Sequence, residues 1–392
     1  MRSKNMRKVF KIVKRESDQE NALKPQSVYD TTPGAVERRV AVLYQAIEPP
    51  VINGVSKPKK PGGYRDSGAD IAYVLQKAGT SIVTPAENPN SSHEDGWCFP
   101  DTETGVLEAV SRGATHLWAN TILFASHPLQ TSSELSQYAA TLRVVGQPPQ
   151  LVEHYDDKNF VNDLLRKDGS FHLPRSRLVH TIEDALFNRL RLPIVAKPIR
   201  GRGSHGVRLC HDVKTLSKVV DYLLEESSPV MLEEYLEGEE GTVTVMPPSS
   251  TNPEYSALPI VVRFNHEDGI APYNGVVAVT RNSRVPSEQE RELTPAYEEI
   301  EKACERVAAK LEMTAPIRID VRQFSEDKTS KFAIFDVNVK PNMTGPGRPG
   351  REKQASLTAL AAAAVGWDYP RLLQEILDSA HTLQQLRSMN IK

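Results

Sequence analysis

The chain has 392 residues, 39% of them hydrophobic and 25% charged, with a formal net charge of -2. That balance suits a globular protein of two or three packed units and gives no case for a nucleic-acid or acidic-membrane partner. Cys98, Cys210 and Cys304 are widely separated and support neither a disulfide framework nor a zinc site, and no apolar run approaches the roughly 20 residues of a membrane helix.

Residues 1–36 read as a basic tail with no acid before Glu16. Arg-rich, acid-poor leaders direct mitochondrial import, but this run is Lys-heavy and its apolar cluster is the short VFKIV. A disordered tail on a cytoplasmic protein is the expectation. Residues 37–150 read as a small α/β domain, with a buried strand over RRVAVLYQA (38–46) and an amphipathic helix over 67–78 that ends at Gly79. TSIVTP, a helix near 104–112 and ATHLWAN continue the alternation. The Pro/Gly-rich stretch 47–68 is long for a compact domain, which points to a functional or a disordered loop.

A second unit spans residues 151–240. Helical DDKNFVNDLLRK leads to a helix at 181–190, strand PIVAKP, a Gly-rich loop and strand GVRLC; helix 212–226, strand PVMLEEYL and a loop with Gly238 follow. Residues 241–392 open with strands TVTVMP, PIVVRF and GVVAVT, continue through a helix at 287–311, and close with Ala/Leu-rich helices at 352–365 and 369–387.

KPIRGRGSHGV (197–207) contains G-x-G-x-x-G at Gly201, Gly203 and Gly206, but GVRLC, a strand, follows it. A dinucleotide fingerprint runs into a helix and a Walker loop needs G-K-[ST], so both are excluded. A strand–loop–strand flap whose successive backbone N–H groups form an anion-binding concavity remains, with Lys197 as a point charge at its root. VMLEEYLEGEE (230–240) places acids at a strand exit, where backbone groups can read an adenine edge and a carboxylate can take ribose hydroxyls.

Residues 316–341 read as two strands about a polar turn. Alternate side chains share a face, so Arg318, Asp320 and Arg322 point one way and Ile317, Ile319 and Val321 the other. In the second strand Asp336, Asn338 and Lys340 share a face, with Phe335, Val337 and Val339 packed behind. Paired as a hairpin, the strands present two carboxylates, an amide oxygen and three cations. Hard oxygen donors of this kind suit Mg²⁺ with substrate phosphates. The alternative is a solvated charged face.

Taken in order, these pieces resemble the ATP-grasp superfamily, and within it the D-alanine–D-alanine ligase-like branch, well over residues 150–365 and loosely before that. The resemblance implies an α/β (α+β) chain with the ATP-grasp fold: an N-terminal α/β pre-ATP-grasp substrate domain (37–150), a small subdomain with the Gly-rich flap (151–240), and a C-terminal subdomain with the Mg²⁺/catalytic hairpin (241–392). It implies ATP and Mg²⁺ as cofactors, Mn²⁺ being an alternative. Lys158 and Lys197 would bind ATP phosphates, Gly203 and Ser204 would cover them, Glu233, Glu234 and Leu236 would frame the adenine, and Glu240 would take the ribose. Asp320, Asp336 and Asn338 would hold the metal, and Arg318 with Ser204 would serve the chemistry.

The implied activity joins a small-molecule carboxylate to an amine through an acyl phosphate. Condensation with a phosphorylated enol, a small-molecule kinase and a non-catalytic ATP-binding module are the alternatives, and a homodimer is the implied assembly. Arg348 and Arg351 of GPGRPGRE are candidates to clamp a substrate carboxylate, and 265–275 is the candidate lid. Four departures stand out: the family usually has Glu at Asp336, the flap here has one extra residue before Gly203 and one fewer after Ser204, the family's amine-orienting N-terminal Glu falls at Gly62, and its Ser-Pro-Gly turn reads Lys340-Pro341-Asn342 here. These argue against D-alanine as substrate.

Overall fold

The computed structural model describes residues 37–52, 54, 59–187, 189–201, 205–226, 228–266 and 279–391. The chain divides into two units, Met1–Glu37 and Arg38–Lys392, and the fold is that of the second. The tail 1–36, the flap residues Gly203 and Ser204, all but the first two residues of the 265–275 segment, and most of GVVAVT lie outside the described residues.

The first sheet is built from β1 (Arg39–Tyr44), β2 (Ser81–Ile82), β3 (Cys98–Pro100), β4 (His116–Asn120) and β5 (Arg143–Val145). β1 pairs in parallel with β2, β3 and β4, and β4 with β5. Val40, Val42 and Leu43 are fully buried, as expected for a parallel strand covered on both faces. α1 (Arg65–Lys77) and α2 (Glu103–Ser111) pack here, α1 burying Ala69, Ile71, Ala72 and Leu75. Thr102 caps α2 by accepting from Gly105 N. The turn before α1 needs glycine: Gly63 sits at φ 57°, and a Cβ there would lie 2.0 Å from the Gln45 carbonyl oxygen.

α3 (Pro128–Thr131), α4 (Pro149–Tyr155) and α5 (Lys158–Asp168) lead to the second sheet. Asp157 caps α5 through Asn159 N and Phe160 N, which aims Lys158 from its first turn. The second sheet is antiparallel and contains β6 (Ser176–Val179), β7 (Ile194–Pro198), β8 (Arg208–Cys210) and β9 (Val230–Glu234) in the order β6-β9-β7-β8. Helices α6 (Ile182–Leu186) and α7 (Val213–Glu226) close a core around Ile194, Ala196, Val220 and Leu232.

The third sheet holds β10 (Glu240–Met246), β11 (Ser256–Ala257), β12 (Val261–Arg263), β13 (Ser283–Arg284), β14 (Ile317–Gln323) and β15 (Phe332–Asn338), with the order β13-β12-β10-β14-β15 and β11 beside β10. The helix expected over 287–311 is two, α8 (Glu288–Leu293) and α9 (Ala296–Lys310), broken at Pro295, whose ring cannot continue the hydrogen-bond ladder. α9 covers the apolar face of the sheet with Ile300, Cys304 and Val307.

α10 (Leu357–Ala364) and α11 (Tyr369–Leu377) follow. The expected single helix over 369–387 ends at Leu377: β16 (His381–Thr382) returns to pair with β5, and Thr382 opens α12 (Leu383–Ser388) through a reciprocal capping box with Gln385.

Candidate active site

The β14–β15 ladder sets the site. Asp320 stands opposite Asp336 and Arg318 opposite Asn338, so the alternation expected of the sequence does bring Arg318, Asp320, Asp336 and Asn338 together. One part of that expectation fails. The register shifts beside Asp320 so that Val321 pairs with Ile334, leaving Phe335 as an extra residue. Phe335 therefore does not join Val337 and Val339 in the core behind the sheet. Its carbonyl accepts a hydrogen bond from Lys197 Nζ at 3.1 Å, and its ring centroid lies 5.8 Å from the same ammonium.

Charges interleave on this face. Lys158 Nζ donates to Asp336 Oδ1 at 2.6 Å. Burial works against the Asp336 carboxylate, but Lys158, Lys197 and Arg318 outweigh it and hold the group below the usual carboxylate range. Burial likewise opposes the charge on Lys158, and Asp336, Asp156 and Asp320 overcome it and raise its ammonium. Arg318 grips Asp320 with Nε at 3.0 Å and Nη2 at 3.2 Å, and Thr242 Oγ1 donates to the same carboxylate at 2.7 Å. Asn338 Oδ1 accepts from Lys340 N.

Lys197, at the end of β7, pairs with Glu233 at 2.5 Å, both side chains at most 5% exposed. Asn162 Nδ2 adds a bond to Glu233 at 3.2 Å. Glu234 points to the other face of β9, as alternation requires, and is gripped by Arg175 at 3.0 and 3.3 Å. Leu236 is buried just beyond the strand. Glu240 is buried beside an imidazole and two guanidinium groups, with His266 Nε2 at 2.9 Å, Arg322 Nη1 at 3.5 Å and Arg263 Nη1 at 3.8 Å. The hinge between Leu236 and Glu240 is tight: a Cβ on Gly238 would lie 2.1 Å from the Ser325 carbonyl oxygen.

Arg348 and Arg351 are engaged elsewhere than at the hairpin. Asp70 of α1, fully buried, accepts from Arg348 Nε at 2.9 Å and Arg351 Nε at 2.6 Å. Arg351 also reaches Asp66 at 3.3 Å. A buried carboxylate demands paired hydrogen-bonding cations, and these two arginines meet that demand, in place of the substrate clamp expected of them.

The donor set fits a hard divalent cation. Two facing carboxylates and an amide oxygen supply the charge and oxygen chemistry that Mg²⁺ selects, and the cations now holding those carboxylates are of the kind that phosphate oxygens attract. Sequence reasoning missed Asn162 and Thr242. Both had a signal: Asn162 lies four residues after Lys158, on the same helix face, and Thr242 shares its face of β10 with Thr244.

The family described as D-ala D-ala ligase C-terminus matches residues 171–378. A D-alanine–D-alanine ligase from Bacillus anthracis is 27% identical over 230 residues, covering 57% of this chain and 66% of that relative, just under two thirds of its length. One from Actinobacillus succinogenes is 29% identical over 198 residues, covering 50% and 56%. Among solved structures, the Bacillus anthracis D-alanine–D-alanine ligase complexed with ATP superposes at a TM-score of 0.60 with 19% identity, over 89% of this chain and 98% of that one. The VanG D-Ala:D-Ser ligase of Enterococcus faecalis gives 0.58 with 11% identity, over 87% and 99%. These structures share the fold. With more than half of its residues matched by the family's pattern, the chain belongs to the D-Ala–D-Ala ligase C-terminus family.

Proposed function

We propose that the chain is an ATP-dependent carboxylate–amine ligase that forms an amide bond on a small molecule, an amino acid being one partner. The observation that carries this reading is the facing pair Asp320 and Asp336 with Lys158, Lys197 and Arg318 around it. A site with this alternation of charge is suited to a polyphosphate and its divalent cation.

In the first step an oxygen of the substrate carboxylate attacks the γ-phosphorus of ATP, the bond to the β-phosphate breaks, and ADP leaves an acyl phosphate. Lys158 and Lys197 neutralise the phosphates, Gly203 and Ser204 cover them, and Ser204 also serves the transfer. Backbone groups of Glu233, Glu234 and Leu236 at the exit of β9 frame the adenine, and Glu240 faces the ribose. Asp320, Asp336 and Asn338 would hold Mg²⁺, which supplies charge neutralisation to the transferring phosphoryl group.

In the second step the amine nitrogen attacks the acyl carbon, the carbon–oxygen bond to phosphate breaks, and phosphate leaves carrying the proton that the nitrogen gives up. Arg318, held on the strand face by Asp320, stabilises the oxyanion that forms between. The relatives are named for D-alanine; the Lys340-Pro341-Asn342 turn favours a different substrate for this chain.

The test is Mg²⁺-dependent ADP release against pools of amino acids and small carboxylic acids, with hydroxylamine to trap the acyl phosphate. Pool-dependent ADP with a hydroxamate product is the expected result. ADP without hydroxamate overturns carboxylate activation in favour of a kinase or enol-phosphate reaction.

A further inference from the structure

Past the end of β15, two ammonium groups each lie over one aromatic ring. Lys340, two residues past Asn338, places Nζ 3.7 Å from the centroid of Tyr64 and donates to Asn120 Oδ1 at 2.9 Å. Lys60, exposed, brings a second ammonium to 4.7 Å from the same centroid. A ring face attracts each cation by about 0.5–1 kcal/mol at an exposed site, while the two charges repel each other. The chemical complement of such a pair is an anion.

Tyr64 is held for this arrangement at a cost. Its backbone lies in the left-handed region at φ 66°, unfavourable for an aromatic residue by about 1–3 kcal/mol. Asn120 Nδ2 and Ser67 Oγ both donate to its carbonyl, at 2.9 and 3.1 Å, and Gly62 and Gly63, also at positive φ, lead into it. Asn120 ends β4, and the crevice beyond the carboxyl ends of parallel strands is where open α/β sheets receive ligands.

Room exists beside this cluster. Asn120, Thr121, Gln147 and Lys340 supply the polar lining of a cavity of about 50 Å³ whose other walls are apolar, enough for more than one water-sized group at about 10–15 Å³ each. Carboxylates of the same region are already engaged. Asp101 accepts from Ala46 N, Ile47 N and Thr121 Oγ1, Glu48 pairs with Lys59, and Asp66 pairs with Arg351.

We propose that Lys340, seconded by Lys60 and oriented by Tyr64 and Asn120, binds an anionic group of the substrate, and that the substrate is a dicarboxylate or acidic amino acid with its reacting carboxyl group at the β14–β15 face and the other at Lys340. This deepens the ligase reading and rests on it.

The experiment compares acidic and amide isosteres on the full chain: glutamate against glutamine, aspartate against asparagine, and succinate against succinamate. Each pair is measured by Mg²⁺-dependent ADP release and by calorimetric binding in the presence of ADP. The expected result is a kcat/KM preference for the acidic member that falls about 10- to 100-fold in Lys340→Met, the size of one hydrogen bond to a charged group. A smaller, salt-sensitive loss is expected in Lys60→Met, an exposed position where folding is not at stake. Turnover of neutral acids with no acidic preference, or a preference unchanged by both variants, overturns the anion site and leaves the ligase standing. Tighter binding of acidic members without ADP release sinks the ligase reading and keeps the anion site. Failure of every acidic member to bind overturns the site.

Discussion

Lys158 opens helix α5 and Asp336 lies near the end of β15, 178 residues later, yet their charged atoms meet at 2.6 Å. The contact joins α5 to the β14–β15 hairpin. Lys158 N also donates to the Ile199 carbonyl at 3.0 Å, just past the end of β7. One residue thereby holds Asp336 through its ammonium and the exit of β7 through its backbone N–H.

Lys158→Met is expected to weaken ATP binding by at least about tenfold, the loss of one charge-assisted contact. Fluorescence titration with ATP checks it. Unchanged ATP affinity would show that Lys158 serves only as a strut for Asp336.

Arg318→Met separates the two proposed steps. An oxyanion donor is worth about 10²–10³ in turnover, and it acts on the second step alone. Amide formation is expected to fall by that factor while hydroxamate trapped from the acyl phosphate stays near its original rate. Arg318→Lys keeps charge but loses the two-pronged hold on Asp320 and should recover only part. A parallel fall in hydroxamate and amide would place Arg318 in phosphoryl transfer.

The hairpin face was legible because strand alternation is local: a period of two puts Arg318 with Asp320 and Asp336 with Asn338 whatever the rest of the chain does. Partners were not legible. Arg348 and Arg351 looked like a free carboxylate clamp because their real acid, Asp70, lies 278 and 281 positions away. No periodicity announces such a pairing. The same holds for Glu240, whose neighbours come from two distant segments, Arg263 and His266 from the end of β12 and just past it, and Arg322 from β14. Phe335 was misassigned for a different reason. A bulge inverts the facing of one residue without altering the composition around it, and only the register reveals it.

Asp70→Asn tests that long-range clamp. The carboxylate is fully buried and accepts from both arginines, so its removal leaves two cations short of a partner and should cost roughly 3–5 kcal/mol. Urea unfolding midpoints measure the loss. A variant within about 0.5 kcal/mol of the parent, the range of an ordinary surface change, would mean that solvent takes over the arginines.

His116 gives a pH signature far from the active site. It is buried at the start of β4, and burial, aided by Arg38 and Arg143, pushes its imidazole down to about 4 from 6.5. A folded value below the unfolded one means that the unfolded chain takes up the proton first as pH falls. Stability is therefore whole above pH 6.5, declines between 6.5 and about 4, and has no further histidine contribution below that. The decline attributable to this residue is on the order of 3 kcal/mol. His116→Gln, which keeps a polar group beside Thr115 Oγ1 at 2.9 Å in the parent, should flatten the curve across that window while leaving a smaller, pH-independent cost. Denaturation midpoints at half-unit steps from pH 4 to 7.5 decide it. Parallel curves for parent and variant would locate the acid sensitivity in another group, because a neutral side chain cannot lose a proton-linked contribution.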